Sequence, residues 1–328
     1  MSIVTLGTAS QAPTKSRALN SVVVRCDKGS YLVDCGEGTQ AQLGASTVRH
    51  SSITKVLITH LHGDHCFGLP GMLCLLASSH APDNEELKVV SKKQKTEIII
   101  DIYGPLGLAR YLRTAMSLSR SLLSVKFRVN ELIPTDRQLT TSKPPFSSWN
   151  PPAEADSIEL HPCELPGHKI SAEAVEIEQK QYNIWRLFTD DSVTCSATEL
   201  LHHVPTFGYT LEEPARQGLL DKEKLNSFGL RNSPLCGRLA RGESVIVNGV
   251  TINAADVMKP VAPGRKVCVL GITSFDCPSV TPLINVGDCH DSSLSVGPCL
   301  DASVVLHEAT LENRQSQLAL EHGHSTPR

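Results

Sequence analysis

His60-Leu61-His62-Gly63-Asp64-His65 is the stretch of this sequence that predicts its fold. It places three imidazoles and one carboxylate within six residues, directly after the apolar run 56–58, and Gly63 permits a tight turn between them. Neutral imidazole nitrogen and carboxylate oxygen suit zinc, and four such groups are more than one tetrahedral ion takes from a single loop. We therefore expect two metal ions here. The alternative is a polar turn in which the histidines fall together by chance.

Composition and charge exclude several other classes of protein. The chain has 328 residues and a net charge of −3, so any site for a polyanion must be locally concentrated. No apolar run reaches the roughly 20 residues that cross a bilayer, and the first residues lack the basic and apolar regions of a secretory signal. The cysteines number eleven, are scattered and form no C-x-x-C pair. This favours a reducing compartment, which would be the cytoplasm or also the nucleus.

The order of the predicted elements indicates an α/β fold. Short β-rich runs at 2–6, 21–25 and 31–34 predict an antiparallel start, and further runs alternate with helices in both halves of the chain. This alternation favours two sheets sandwiched between helices, with 1–328 forming a single domain. The segment 135–168 is rich in proline, serine, threonine and glutamate, and we expect it to be a poorly ordered surface excursion.

Seven short motifs occur together along the chain. They are Leu6-Gly7-Thr8, Asp34-Cys35-Gly36-Glu37-Gly38-Thr39-Gln40, Ile58-Thr59 followed by the histidine loop, Gly68-Leu69-Pro70-Gly71, Tyr103-Gly104-Pro105, His202 with Pro205-x-Phe207-Gly208, and His307-Glu308-Ala309-Thr310. Together they resemble the ribonuclease Z family, in particular its short form, a tRNA 3′-processing branch of the metallo-β-lactamase superfamily. Lactamases, glyoxalases and other proteins of that fold share the histidine loop, so only the combination is specific.

The resemblance implies a fold, an activity and an assembly. The fold is the α/β metallo-β-lactamase fold, a four-layer αββα sandwich with an inserted exosite arm. The activity is that of a zinc-dependent endoribonuclease, which removes 3′ trailers from precursor tRNA by hydroxide attack on the phosphodiester and leaves a 3′-hydroxyl on the tRNA. The family also implies two Zn²⁺ ions per subunit and a homodimer.

The resemblance assigns roles to individual residues as well. The implied zinc ligands are His60, His62 and His202 for one ion, and Asp64 and His65 for the other. His202, rather than the adjacent His203, matches the family's ligand. Asp64 would also accept a proton from the attacking water, and the His307-Glu308 pair would protonate the departing 3′-oxygen. The alternative for His307 is a residue that only caps the end of a strand.

A charged segment at 212–243 corresponds to the family's arm, which clasps the elbow of tRNA. Its basic residues would neutralise phosphates and measure the shape of the RNA without reading its bases. They are Arg216, Lys222, Lys224, Arg231, Arg238 and Arg241. Because acidic residues are interleaved with them, an ordinary solvated surface is the alternative.

Two departures from the family pattern concern the second zinc. The family has a metal-bridging aspartate directly after a strand ending in Leu-Gly, whereas Leu270-Gly271 continues here into an apparent insertion at 272–287. Without that insertion Gly271 would precede Asp288, which we take as the bridging ligand, with Asp276 as the alternative. The family's late His-x-Ser-x-Arg-Tyr motif is absent, so we expect a C-terminally incomplete fold and a weakly held second zinc.

These departures leave two further hypotheses about function. One is a catalytically impaired, truncated isoform that still binds tRNA or a sister subunit. The other is a small-molecule hydrolase of the same fold, which the predicted arm and the His307-Glu308 pair argue against.

Overall fold

The computed structural model describes most of the chain in two compact units. The first unit comprises Met1–Glu212 and Lys266–Arg328, and the second, Glu213–Arg265, is inserted between its two parts. The described residues are 1–80, 97–141, 158–215, 220–259, 263–270, 283–284, 293–307 and 314.

The first unit begins with a sheet of eight strands. In chain order they are β1 (Ser2–Gly7), β2 (Ser21–Arg25), β3 (Ser30–Val33), β4 (Ile53–Leu57), β5 (Ile99–Pro105), β6 (Lys126–Leu132), β7 (Glu164–Leu165) and β8 (Lys169–Ile170). They follow each other in space as in the chain, with β7 and β8 both paired to β6. The first three strands pair antiparallel, as predicted, and β4 to β6 are added in parallel. The carboxyl ends of β3 and β4 therefore meet at one edge of the sheet.

A second sheet of seven strands completes the first unit. Its strands are β9 (Glu173–Ile177), β10 (Lys180–Thr189), β11 (Thr194–Leu200), β12 (Thr206–Glu212), β15 (Lys266–Val269), β16 (Leu283–Ile284) and β17 (Val304–Leu306), while β13 (Val245–Val247) and β14 (Val250–Ile252) form a hairpin in the second unit. The spatial order is β16-β17-β15-β12-β11-β10-β9. Strands β9, β10, β11, β12 and β15 pair antiparallel in this order. Strand β17 is parallel to its two neighbours, β15 and β16.

The two sheets pack face to face on a shared apolar core. Successive residues of a strand point to opposite faces, so Val22 and Val24 of β2 enter this core while Val23 enters the core on the other side. From the second sheet, the rings of Trp185 and Phe207 meet edge to face with 4.9 Å between their centroids. Both faces of the central strands are buried, which is why their sequences are continuous apolar runs.

Helices of the first unit pack on the outer faces of its sheets, while α6, α7 and α8 belong to the second unit. The helices are α1 (Thr39–Ala45), α2 (Gly63–Cys66), α3 (Leu69–Ser79), α4 (Leu108–Leu118), α5 (Asp136–Thr141), α6 (Lys222–Ser227), α7 (Cys236–Ala240), α8 (Ala254–Val257) and α9 (Val296–Cys299), with 3-10 turns at His50–Ser52 and Ser293–Ser295. Leu73 of α3 and Leu112 of α4 pack on the first sheet, and Cys299 of α9 packs against Cys268 of the second. The predicted α/β sandwich is confirmed. None of the described helices has the length and apolarity needed to cross a membrane.

The second unit has a small core of its own, formed by apolar residues of α6 to α8 and of the hairpin. They are Leu225, Leu230, Leu239, Val245, Ile252 and Val257. The Asp221 carboxylate caps α6 by accepting hydrogen bonds from the backbone N–H groups of residues 223 and 224. Asn248 and Gly249 connect β13 to β14 with positive φ angles of 49° and 80°, as a two-residue hairpin turn requires.

The bounds of this unit differ from the predicted arm at 212–243. Glu212 belongs to β12, where it lies opposite Lys266 of β15 in the strand register, so the insertion starts one residue later. At the other end the unit continues to Arg265, whose guanidinium forms two hydrogen bonds of 2.6 Å to the Glu213 carboxylate. Strand pairing and this ion pair set the bounds, and neither is visible in the distribution of charge along the sequence.

Of the predicted excursion at 135–168, the structure describes residues 135–141 and 158–168. The Gln138 side chain of α5 donates to the backbone carbonyl of Thr206 over 2.6 Å, and Glu164 of β7 accepts two hydrogen bonds from Arg113. These long-range polar contacts hold the two described ends in place. Residues 142–157 lie outside the described part.

The apparent insertion at 272–287 is described only at Leu283–Ile284, which forms the edge strand β16 beside β17. This pair of residues thus contributes to the second sheet. The candidate ligands Asp276 and Asp288 lie outside the described residues.

Candidate metal centre

The histidine loop starts where the two sheets are joined by hydrogen bonds. After β4, the carbonyl of Ile58 accepts a hydrogen bond of 2.6 Å from the Tyr209 hydroxyl, and the carbonyl of Thr59 accepts one of 3.0 Å from the N–H of Phe207. Ile58, Thr59 and His60 are all fully buried. The backbone that carries the first histidine is therefore fixed from both sheets.

Three imidazoles converge at this point. His60 Nε2 lies 3.1 Å from His62 Nδ1, and His202 Nε2 lies 3.3 Å from the same His62 nitrogen. One nitrogen from each ring lies within 4.8 Å of the other two. His202 reaches the cluster from the connection between β11 and β12, 140 residues along the chain from His62. The structure thus brings together the three residues that the sequence predicts as ligands of one zinc.

The donor set and its spacing fit zinc. With Zn–N bonds of about 2.0–2.1 Å and tetrahedral angles, two ligand nitrogens on one ion lie about 3.3 Å apart. The two measured separations from His62, 3.1 and 3.3 Å, agree with that value. His60 and His202 are buried and His62 is half-buried, so the cluster is shielded from water on most sides while one imidazole remains accessible.

Asp64 and His65 lie side by side on the short helix α2. The Asp64 carboxylate accepts a hydrogen bond of 2.7 Å from the backbone N–H of Gln11, and its Oδ2 lies 3.6 Å from His65 Nε2. The His60 and His65 rings are 4.0 Å apart between centroids. These two predicted ligands of the second ion are therefore adjacent to the three-histidine cluster.

Asp34 is a residue of the site to which neither the motif spacing nor the family resemblance assigned a role. Its carboxylate accepts a hydrogen bond of 2.7 Å from His65 Nδ1, and it also accepts from the N–H and the hydroxyl of Thr59. The side chain is 1% exposed, and its backbone takes the left-handed φ of 57°. The position of Asp34 in the sequence could have indicated its role. It directly follows β3, and residues 58–60 directly follow the parallel neighbour β4, so both lie at the same edge of the sheet.

An open cavity of about 560 Å³ lies beside the cluster. Its lining combines imidazoles and carboxylates with an aromatic ring, from Gln11, Glu37, His62, Asp64, Phe67, His202 and His203. The ring of His203 stacks on that of His202 at 5.2 Å, outside the three-histidine cluster. A ligand that enters the cavity meets His62, His202 and Asp64.

His307 is buried directly after β17. In the strand register Leu306 lies opposite Val269, and Val269 lies opposite Tyr209, the residue whose hydroxyl binds Ile58. This register brings the residue after β17 to the end of the second sheet at which the histidine loop begins. Its predicted partner Glu308 lies outside the described residues.

Five of the six predicted RNA-binding residues belong to the described part of the second unit. Lys222 and Lys224 lie on α6, and Arg231 is exposed in the following loop. Arg238 and Arg241 both form ion pairs with Glu243, at 2.8 and 3.0 Å. Their hydrogen bonds lower the pKa of the Glu243 carboxyl, which keeps it ionised. Arg216 lies outside the described residues.

The fold and the histidine cluster define a metallo-β-lactamase-fold hydrolase. The solved human tRNase Z, short form, is similar over all of this chain and 85% of its own, with a TM-score of 0.59 and 29% sequence identity. The family model described as anti-Pycsar protein Apyc1 matches residues 1–99, which include the histidine loop.

Sequence similarity to known proteins identifies the family within this class. Human zinc phosphodiesterase ELAC protein 1 is 38% identical over 328 residues, covering all of this chain and 80% of the relative. Ribonuclease Z of Acaryochloris marina is 31% identical, over 99% of this chain and 79% of the relative. The chain belongs to the ribonuclease Z family of hydrolytic nucleases, which confirms the predicted family.

Proposed function

We propose that this chain is a zinc-dependent endoribonuclease that removes 3′ trailers from precursor tRNA and leaves a 3′-hydroxyl on the tRNA. The observation that carries the proposal is the convergence of His60, His62 and His202 beside Asp64 at an open cavity, in a chain of the ribonuclease Z family. The similarity to a solved tRNase Z supports tRNA as the substrate.

The proposed metal ligands form two groups. His60, His62 and His202 would hold one zinc, since their nitrogens have the spacing of ligands on a single ion. Asp64 and His65 would contribute to a second, with Asp288 as the proposed bridging ligand. Zinc, when bound, supplies Lewis acidity that makes water nucleophilic near neutral pH and offsets charge on the phosphodiester.

The chain's own residues orient the ligands and move protons. The Asp34 carboxylate fixes the protonated nitrogen of His65 as Nδ1, which leaves Nε2 as the nitrogen that is able to bind a metal. Asp64 would accept a proton from the attacking water, because its carboxylate lines the cavity and is held in place by the N–H of Gln11. His307, with Glu308, would give a proton to the departing 3′-oxygen.

The second unit would bind the body of the tRNA through its basic residues. Lys222, Lys224 and Arg231 are exposed and would neutralise phosphates, with Arg216, Arg238 and Arg241 as the other proposed contacts. The family resemblance supports a homodimer. The nine described cysteines are free thiols, in keeping with a cytoplasmic or nuclear location.

The hypothesis of an impaired isoform rests on Asp288, which the segment 272–287 separates from Gly271 in the sequence. Two observations favour the catalytic hypothesis. The imidazoles of His60, His62 and His202 converge, and relatives that cover 99–100% of the chain are named as enzymes.

The experiment is cleavage of a precursor tRNA with a 3′ trailer by the zinc-loaded protein. We expect a tRNA that ends in a 3′-hydroxyl, a trailer with a 5′-phosphate, and loss of cleavage both with a chelator and in His62→Ala. Failure to cleave at high concentration of zinc-loaded protein would contradict the proposal. RNA binding without cleavage would then support the impaired isoform, and hydrolysis of small phosphodiesters alone would support the small-molecule hydrolase.

A further inference from the structure

Phe67 is an exposed aromatic residue at the mouth of the metal centre. Its side chain is 62% exposed, although phenylalanine is among the residues most often buried. It lines the same cavity as His62 and Asp64. A large apolar ring at the entrance of a site for a charged substrate calls for a ligand with an apolar face.

The ring of Phe67 is held in a defined position. It lies against the backbone at Gly63, where a Cβ would collide with the ring, so the glycine makes room for it. The Tyr111 ring of α4 lies 6.2 Å away at an angle of 30°, and the Tyr111 hydroxyl donates to the Cys66 carbonyl. A ring fixed in this way loses little conformational freedom when a planar group stacks on it.

The apolar packing of the neighbouring helix does not require Phe67. The core contacts of α3 are made by Leu69, Met72, Leu73 and Leu76, all fully buried. Phe67 precedes this helix and remains outside the buried cluster. Its conformation therefore serves the cavity rather than the core.

We propose that Phe67 is a stacking platform for a nucleobase of the nucleotide next to the scissile phosphodiester. This inference rests on the proposed function and adds a contact between the protein and its single-stranded substrate. Every base has a π-face, so stacking holds the RNA without demanding a particular sequence. Fixing one flanking base positions the phosphodiester over His62 and Asp64.

The first test compares variants on intact and abasic precursor tRNA. Phe67→Leu keeps an apolar side chain but loses the π-face, and we expect kcat/KM to fall about 10-fold, mainly through KM. Phe67→Tyr should retain wild-type values. Leu118→Ala on α4, where the side chain is 81% exposed, is the matched control for loss of an exposed apolar group.

The abasic substrates identify the contact. One precursor lacks the base before the scissile bond and another lacks the base after it. On one of them, wild type and Phe67→Leu should cleave at the same reduced rate, because the stacking partner is already missing. An equal penalty of Phe67→Leu on all three substrates would overturn the proposal. Cleavage by the wild type tests the proposed function separately.

A second measurement needs no cleavage. 2-Aminopurine placed at the flanking position of a single-stranded RNA loses fluorescence when it stacks, so binding to the wild-type protein should quench it and binding to Phe67→Leu should not. Equal fluorescence changes with both proteins would contradict stacking. A change in oligomeric state of Phe67→Leu without any base-dependent effect would assign the ring to a protein interface instead, and would also overturn the proposal.

Discussion

Nδ1 of His65 donates a hydrogen bond of 2.7 Å to Oδ2 of Asp34, and both side chains are 1% exposed. A carboxylate that binds the second nitrogen of a ligating histidine fixes both the tautomer and the orientation of its ring. Asp34 directly follows β3 and His65 lies on α2, so this bond connects the short helix that follows His60 and His62 to the sheet.

Asp34→Asn should weaken zinc binding. The substituted amide offers an N–H to His65 where the carboxylate offered a lone pair, which favours the wrong tautomer. We expect zinc affinity or activity to fall about 10- to 100-fold. Competition with a chromogenic chelator measures the affinity. Asp101→Asn, on β5 and paired with Arg128, is the control and should bind zinc like the wild type; similar losses in both variants would point to a general loss of structure.

His202→Ala and His203→Ala should behave differently although the residues are adjacent. Only His202 belongs to the three-histidine cluster, so its removal should lower zinc affinity by at least about 100-fold, whereas His203→Ala should keep the metal. Thermal unfolding with and without zinc gives a second measurement, since zinc at 100 times its dissociation constant stabilises by about 2.7 kcal/mol. A zinc-dependent melting shift lost in His203→Ala and kept in His202→Ala would reverse the assignment.

His307→Ala should slow cleavage according to the leaving group. If His307 supplies the proton for the departing 3′-oxygen, its loss should reduce kcat on precursor tRNA by about 10²- to 10⁴-fold. In a precursor with sulfur at the bridging 3′ position, the leaving group is a thiolate, which departs without protonation. His307→Ala should therefore cleave this precursor at nearly the wild-type rate. His168→Ala removes an exposed imidazole and is the control. Equal losses on both substrates would mean that His307 is structural.

Lys222→Ala with Lys224→Ala should weaken binding of precursor tRNA without loss of zinc. Each phosphate contact that disappears should reduce the slope of log affinity against log salt by about one. Gel-shift titrations at several salt concentrations measure this slope. Lys180→Ala, an exposed lysine of β10, should leave the slope unchanged. An unchanged slope in the double variant would support the alternative of a solvated charged surface.

Glu243→Gln should strengthen the binding of precursor tRNA, in contrast to the two lysine substitutions. Arg238 and Arg241 share this carboxylate, and its neutralisation releases both guanidinium groups for phosphates. We expect a gain of a few-fold in affinity for precursor tRNA and a steeper salt dependence. If affinity falls or stays the same, the two arginines do not contact RNA.

The sequence alone is sufficient to predict those features that depend on neighbouring residues. The apolar runs of β2 to β4 and the histidine loop were recognisable because strand periodicity and ligand spacing are set by nearest neighbours. Contacts between distant residues cannot be recognised in this way, as for Gln138 and Glu164, which bind Thr206 and Arg113.

The chemistry of the metal centre follows from the sequence alone, since His60, His62 and Asp64 are two imidazoles and a carboxylate within five residues. The surroundings of these residues depend on the tertiary structure. His202, which the family resemblance implied, meets the loop from the connection between β11 and β12. Asp34, directly after β3, binds His65, and Phe67 reaches the cavity because Gly63 leaves room for its ring. Strand pairing and close packing create these contacts, and neither is encoded in the spacing of residues along the chain.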